Sequence, residues 1–69
     1  MRQFVVDVPD ELFELIGGDA SHVINFMTQA AVAQLVRRKI ISSGKAAELL
    51  GIDSWEIPAL LSQFGISAT

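Results

Sequence analysis

The chain has 69 residues, 51% of them apolar and 19% charged, with no cysteine and a formal net charge of -3. That length suffices for one domain, residues 1–69, and excludes a two-domain enzyme, while the missing cysteines exclude a disulfide framework and a thiolate metal site. A domain this small buries only roughly 60% of the surface its unfolded chain exposes. At a mean hydropathy of +0.44 it carries more apolar side chains than one compact monomer covers, so self-association is expected.

Arg2 to Val8 place Phe4, Val6 and Val8 on one face of an extended segment and Gln3, Val5 and Asp7 on the other, at the strand period of two. A lone strand leaves its backbone edge unpaired, and its simplest partner is the same strand of a second copy. Pro9 ends the strand and opens a short helix. Asp10, Glu11 and Glu14 lie near the positive end of that helix, and Leu12, Phe13, Leu15 and Ile16 are there to be buried. Gly17-Gly18 stops it.

Asp19 or Ser21 caps a long helix expected to run to about Ile41. Its polar residues Asn25, Thr28, Gln29 and Gln34 form a narrow strip. Val23, Ile24, Phe26, Met27, Ala30, Ala31, Leu35 and Val36 cover the rest, which predicts burial on two sides, one of them against a partner subunit. The apolar stretch Val23 to Val36 is too short and too interrupted to span a bilayer. Residues 1–42 are thus read as a strand-helix-helix dimerisation half and residues 43–69 as a second half.

After a loop at Ser42-Ser43-Gly44, two short helices are expected over about Gly44 to Leu50 and about Ser54 to Phe64, joined by Gly51-Ile52-Asp53. This spacing is a helix-turn-helix signature. Ala47 is small where the helices approach, Gly51 can take the positive φ that ends the first helix, and Ile57 and Leu60 pack back onto Leu50 and Ile52. Asp53 and Glu56 have the spacing of a capping pair. Pro58 means that the second helix is kinked at its start or begins near Pro58. Ile52 to Ser62 contains no Arg, Lys, Asn or Gln, so this helix is poorly equipped to read base edges.

The run Lys39 to Ile52, with Trp55-Glu56 after it and Val6 to Leu12 near the start, resembles a family of small, mostly uncharacterised prokaryotic proteins regarded as candidate antitoxins. The resemblance covers nearly the whole chain. It implies a compact, mainly helical protein with a C-terminal helix-turn-helix that binds a toxin partner, DNA or both. The chain departs at Asp53 and Ile57-Pro58, where the family more often shows a small polar residue and an aromatic-containing helical run. This departure bears on DNA reading more than on fold.

Candidate DNA-contact residues are Arg37, Arg38, Lys39 and Lys45, which form either a phosphate-binding patch or a solvated helix end, together with Ser54 and Trp55 at the start of the second short helix. Trp55 reads as a partly buried core aromatic or as a partner anchor, and Phe64 as a second partner contact. His22 stands alone, without metal-ligand spacing, and belongs at the surface or in a cap. The acidic residues Asp10, Glu11, Glu14 and Asp19 lie beside no His, Lys or Tyr, and no phosphate-cradling glycine loop is present, so neither catalysis nor a cofactor is expected. No targeting pattern opens the chain, and the expected location is the cytoplasm.

The expected architecture is mainly α, with a short N-terminal strand, helices, a C-terminal helix-turn-helix and a homodimer paired through the strand and long helix. The order of elements also fits a ribbon-helix-helix dimer, although Asp7 on the outward strand face would oppose phosphate. The expected function is a small regulator of the antitoxin type, binding DNA, a toxin protein or both. The alternative is a protein-interaction module in which the helix-turn-helix is only a packing unit.

Overall fold

The computed structural model describes residues 2–66, so residues 67–69 of the expected C-terminal half lie outside it. The protein is mainly helical: α1 (Asp10–Ile16), α2 (Ala20–Arg37), α3 (Ser43–Leu50), a single 3-10 turn (Ser54–Glu56) and α4 (Ile57–Gln63). No helix among the described residues is long and apolar enough to cross a membrane.

The expected N-terminal strand is not formed. Residues 2–9 have no regular secondary structure, because a strand exists only through a neighbour's ladder of hydrogen bonds, and a single copy of this chain supplies none. The alternation of side chains is expressed only in part. Arg2, Phe4, Val6 and Val8 line a groove against Phe13 of α1 and Val23 of α2, but Phe4 and Val6 remain 81% and 51% exposed beside Val5 at 95%. Pro9 then starts α1 as expected, with Asp10 and Glu11 in the first turn and the Phe13 N–H donating to the Pro9 carbonyl at 3.0 Å. The turn at Gly17-Gly18 ends it, with Gly18 at φ 67°.

Asp19 occupies the N-cap position of α2, but its carboxylate makes no cap hydrogen bond and lies instead 3.0 Å from Nδ1 of the exposed His22. Helix α2 stops at Arg37, short of the expected Ile41. Lys39 adopts φ 60°, the one non-glycine residue with positive φ among those described. Its N–H donates to Val36 O and the Ile40 N–H to Leu35 O, both at 3.0 Å, which is the paired closure of a Schellman motif. Nothing in the residue type of a lysine announces that stop.

The stretch Ser42-Ser43-Gly44, read from sequence as a loop, belongs to the next helix. Ser42 is its N-cap, and its Oγ accepts from the Lys45 N–H at 3.1 Å. Helix α3 ends as expected at Gly51, in the left-handed region at φ 68°, with the Ile52 N–H donating to Ala47 O at 3.0 Å. The single helix expected over Ser54 to Phe64 is divided. Asp53 and Glu56 hold the 3-10 turn through an Asp53 N–H to Glu56 Oε2 bond of 2.9 Å, and the α-helix begins at Ile57. Pro58 then sits in its first turn, where a missing donor has no intrahelical partner to lose.

The core lies where α2, α3 and α4 meet. Val32 and Ala33 of α2, Ala46 and Ala47 of α3, and Ile57, Leu60 and Leu61 of α4 form one buried cluster, flanked by Val36, Ile41, Leu50, Ile52, Phe64 and Ile66. Two consecutive alanines let the α3 backbone come close to both neighbours, and Ile57, at 0% exposure, fills the space between them. Among the described residues only Val23 is buried outside this cluster. In the single chain α2 is therefore covered on one side, with Ile24, Phe26 and Met27 remaining 62%, 46% and 41% exposed.

Replacing Ile57 with Ala removes a fully enclosed side chain and should cost about 2–5 kcal/mol in urea unfolding, a large share of the roughly 3–10 kcal/mol available to a domain of this size. Gly51→Ala should cost about 1–2 kcal/mol by the same measurement. A Cβ there would meet nothing within 4 Å, so the loss comes from the left-handed backbone alone.

Candidate functional site

The fold concentrates the predicted basic residues at one corner. Arg37 is the last residue of α2, Arg38 and Lys39 form the turn after it, and Lys45 lies in the first turn of α3. All four side chains are exposed. Lys45 Nζ stands 3.6 Å from Glu48 Oε1 in an open i,i+3 pair, a contact of little energetic weight in water. No salt bridge engages Arg37, Arg38 or Lys39 among the described residues. The Schellman turn at Lys39 tightens the corner by reversing the chain immediately after the two arginines.

Ser54 and Trp55 lie elsewhere. They follow the C-terminal end of α3, while the basic corner adjoins its N-terminal end, and eight helical residues put about 12 Å between the two. The six residues singled out for DNA contact thus divide between a cationic corner and a turn that carries Glu56 and no cation. Trp55 is not the partly buried core aromatic considered from sequence, since it is 75% exposed. The 3-10 geometry of Ser54–Glu56 explains this. Glu56 closes the turn by accepting from the Asp53 backbone, Ile57 takes the inward position, and the indole is left on the outside. Phe64, the other aromatic considered as a partner contact, is half-buried beside the core with its ring centroid 5.5 Å from that of Phe26, at an interplanar angle of 56°.

Next to Trp55 the surface is concave. A cavity of about 310 Å³ is lined by Gln29 of α2, by Ile52, Trp55 and Glu56, and by Ala59, Leu60 and Gln63 of α4. A second, of about 190 Å³, shares Gln29, Ile52 and Leu60 with it and extends to Asn25, Thr28, Leu49 and Leu50. Together they form a trough between α2 and the α3–α4 unit, with Trp55 at one end and the 55% exposed Leu49 at the other. Sequence reasoning did not assign Leu49, Gln29 or Gln63 to a site. The helical phase of α3 could have found Leu49: Ala46, Ala47 and Leu50 share the inward face, and Leu49 lies off it. A larger apolar groove of about 560 Å³ runs beneath the N-terminal segment, bounded by Phe4, Val6, Phe13, Val23, Ile24 and Met27.

No polar or charged residue is buried among those described, and no cluster of three His, Cys, Asp or Glu residues is positioned to hold a metal. The fold and its surfaces define a small, mainly helical protein whose described polar residues are exposed or half-buried, around two concave faces and one cationic corner. Across residues 1–69 the sequence matches the model of the uncharacterised protein family UPF0175, and the chain belongs to that family. No curated protein and no solved structure matches it significantly.

The left-handed Lys39 gives a direct check on the geometry of the corner. Lys39→Gly relieves the Cβ penalty at φ 60° and should raise stability by about 0.5–1 kcal/mol in thermal or urea unfolding, while removing one of the four clustered cations.

Proposed function

We propose that this protein is a small helix-turn-helix regulator of the antitoxin type, a cytoplasmic homodimer that engages a toxin protein, DNA or both. The observation that most supports this reading is the packing of α3 against α4. Ala47 (4% exposed) and Ile57 (0%) share one core across a turn whose Gly51 is left-handed, as a helix-turn-helix requires. The resemblance of Lys39 to Ile52 and Trp55-Glu56 to candidate antitoxins supports it as well.

In this reading the N-terminal half makes the dimer. Phe4, Val5 and Leu15 are 81%, 95% and 77% exposed in the single chain, and the backbone of residues 2–8 makes no backbone hydrogen bond among the described residues. Pairing two such segments as an antiparallel ribbon would satisfy those groups and cover the apolar groove beneath them. Because Asp7 lies on the outward face, the ribbon acts as a dimer device rather than as a DNA reader. Arg37, Arg38, Lys39 and Lys45 then supply phosphate contacts, doubled by the twofold axis, and Ser54 and Trp55 approach DNA or the partner.

A second reading, a protein-interaction module without DNA binding, is favoured by one specific observation. The exposed residues of the 3-10 turn and α4, namely Ser54, Trp55, Pro58, Ala59, Ser62 and Gln63, include no cation, and the turn itself carries the acidic Glu56.

A mobility-shift titration with the DNA upstream of the protein's own gene separates the two. The regulator should retard that DNA at low salt and lose affinity as salt rises. Changing both Arg37 and Arg38 to Ala should flatten the log–log salt dependence by about 2, close to one unit per lost phosphate contact. No retardation at low salt selects the interaction module. Light scattering at micromolar concentration should give about twice the 7.5 kDa of one chain, and a mass near 7.5 kDa contradicts the dimer.

A further inference from the structure

We infer that the trough between α2 and the α3–α4 unit is a docking site for a cationic, arginine-bearing segment of a partner protein, with Trp55 as its anchor. The inference deepens the partner-binding side of the function proposed above and does not depend on DNA contact. Its floor is apolar, formed by Ile52 and Leu60. Asn25 and Gln29 on the α2 side and Gln63 on the α4 side bring side-chain amides to the trough, which can donate to and accept from the backbone of a peptide laid between them. Leu49 and Trp55 stand exposed at the two ends. This combination of an apolar floor, amide walls and an exposed indole is the anatomy of a peptide-binding groove.

Charge decides which segment it fits. Among the described residues Glu56 is the only charged one lining either part of the trough. One of its oxygens accepts from the Asp53 N–H at 2.9 Å, and a carboxylate retains further acceptor sites. Beyond Lys45 the chain contains Glu48, Asp53 and Glu56 and no Lys, Arg or His, and among the described residues no cation lines either part of the trough. A guanidinium can stack on the indole while donating to the Glu56 carboxylate, which satisfies both its planar face and its edge. An acidic segment or a phosphate backbone would meet like charge here with nothing to offset it. The basic corner beside the far end of α3 is left free for a different contact.

Selection of a random peptide library on the intact protein tests this directly, and the emission of Trp55, the sole tryptophan, reports occupancy. Enriched peptides should carry arginine beside aliphatic residues, shift the emission saturably, and bind more weakly at higher salt. Trp55→Ser, followed by titration calorimetry because it removes the fluorophore, should weaken them by about tenfold or more. Glu56→Gln keeps an acceptor for the Asp53 N–H, so it should remove the preference for arginine over an uncharged counterpart while leaving helix content unchanged. Four outcomes overturn the proposal: no enrichment, enrichment of acidic or uncharged peptides, equal binding by the Trp55→Ser protein, or an emission shift produced by duplex DNA in the absence of peptide. The gel shift and the mass measurement do not read this trough, so failure of the wider functional reading and failure of this inference are seen separately.

Discussion

The structure depends on how closely α3 can approach its neighbours. Ala46 and Ala47 present almost no side-chain volume to α2 and α4, and the space that remains is filled by Ile57, Leu60 and Leu61 from one side and Val32 and Ala33 from the other. In so small a core, dispersion contacts and excluded water are concentrated in a few residues, and each of them carries a larger share of the stability than it would in a bigger domain. Larger side chains at positions 46 and 47 would push the helices apart, and the three-helix unit would lose the contact that orients α4.

The two halves of the chain are unequal in a way that composition alone conceals. The C-terminal unit buries its apolar residues internally. The N-terminal segment, α1 and the first half of α2 bury Val23 and leave Phe4, Val5, Leu15 and Ile24 largely open to water. Exposed apolar area on this scale is costly for an isolated small protein. A second copy or another protein that covered this half would remove that cost, which is why association is central to the proposed function.

Charge is segregated along the fold. Four of the five basic residues fall within Arg37 to Lys45, five of the eight acids lie in residues 7–19, and the other three follow Lys45. Because the Schellman turn at Lys39 and the Ser42 cap fold the basic run into a corner, it presents a local positive surface on a chain of negative net charge. Trp55 and Glu56, at one end of the trough, belong to the acidic C-terminal portion. Two surfaces of opposite chemistry can thus serve two different partners, one through long-range attraction and the other through apolar anchoring with a single carboxylate.

Much of the local structure was legible in the residues. Pro9, Gly17-Gly18, Gly51 and the Asp53/Glu56 pair mark their boundaries through their own backbone preferences and short-range hydrogen bonds, so the helices they bound were predictable, as was the shared burial of Ala47 and Ile57. The end of α2 was not, because a left-handed lysine is stable only when hydrogen bonds to Leu35 and Val36 and the packing beyond them compensate for its strain. Nor was the start of α3, where Ser42 could be read either as loop or as cap.

The sequence by itself determined the helical class, the break at residue 51 and the packing of Ala47 with Ile57, since each follows from side-chain volume and backbone freedom at particular positions, whereas the joining of Val32 and Ala33 of α2 to that core was decided by the tertiary structure. Only the tertiary structure decided that the N-terminal segment forms no strand in a single chain, that Trp55 faces outward, and that the six DNA-contact candidates divide between the two ends of α3. Those outcomes depend on which surfaces neighbouring elements cover and which backbone groups they pair, and neither is a property of any one stretch of residues.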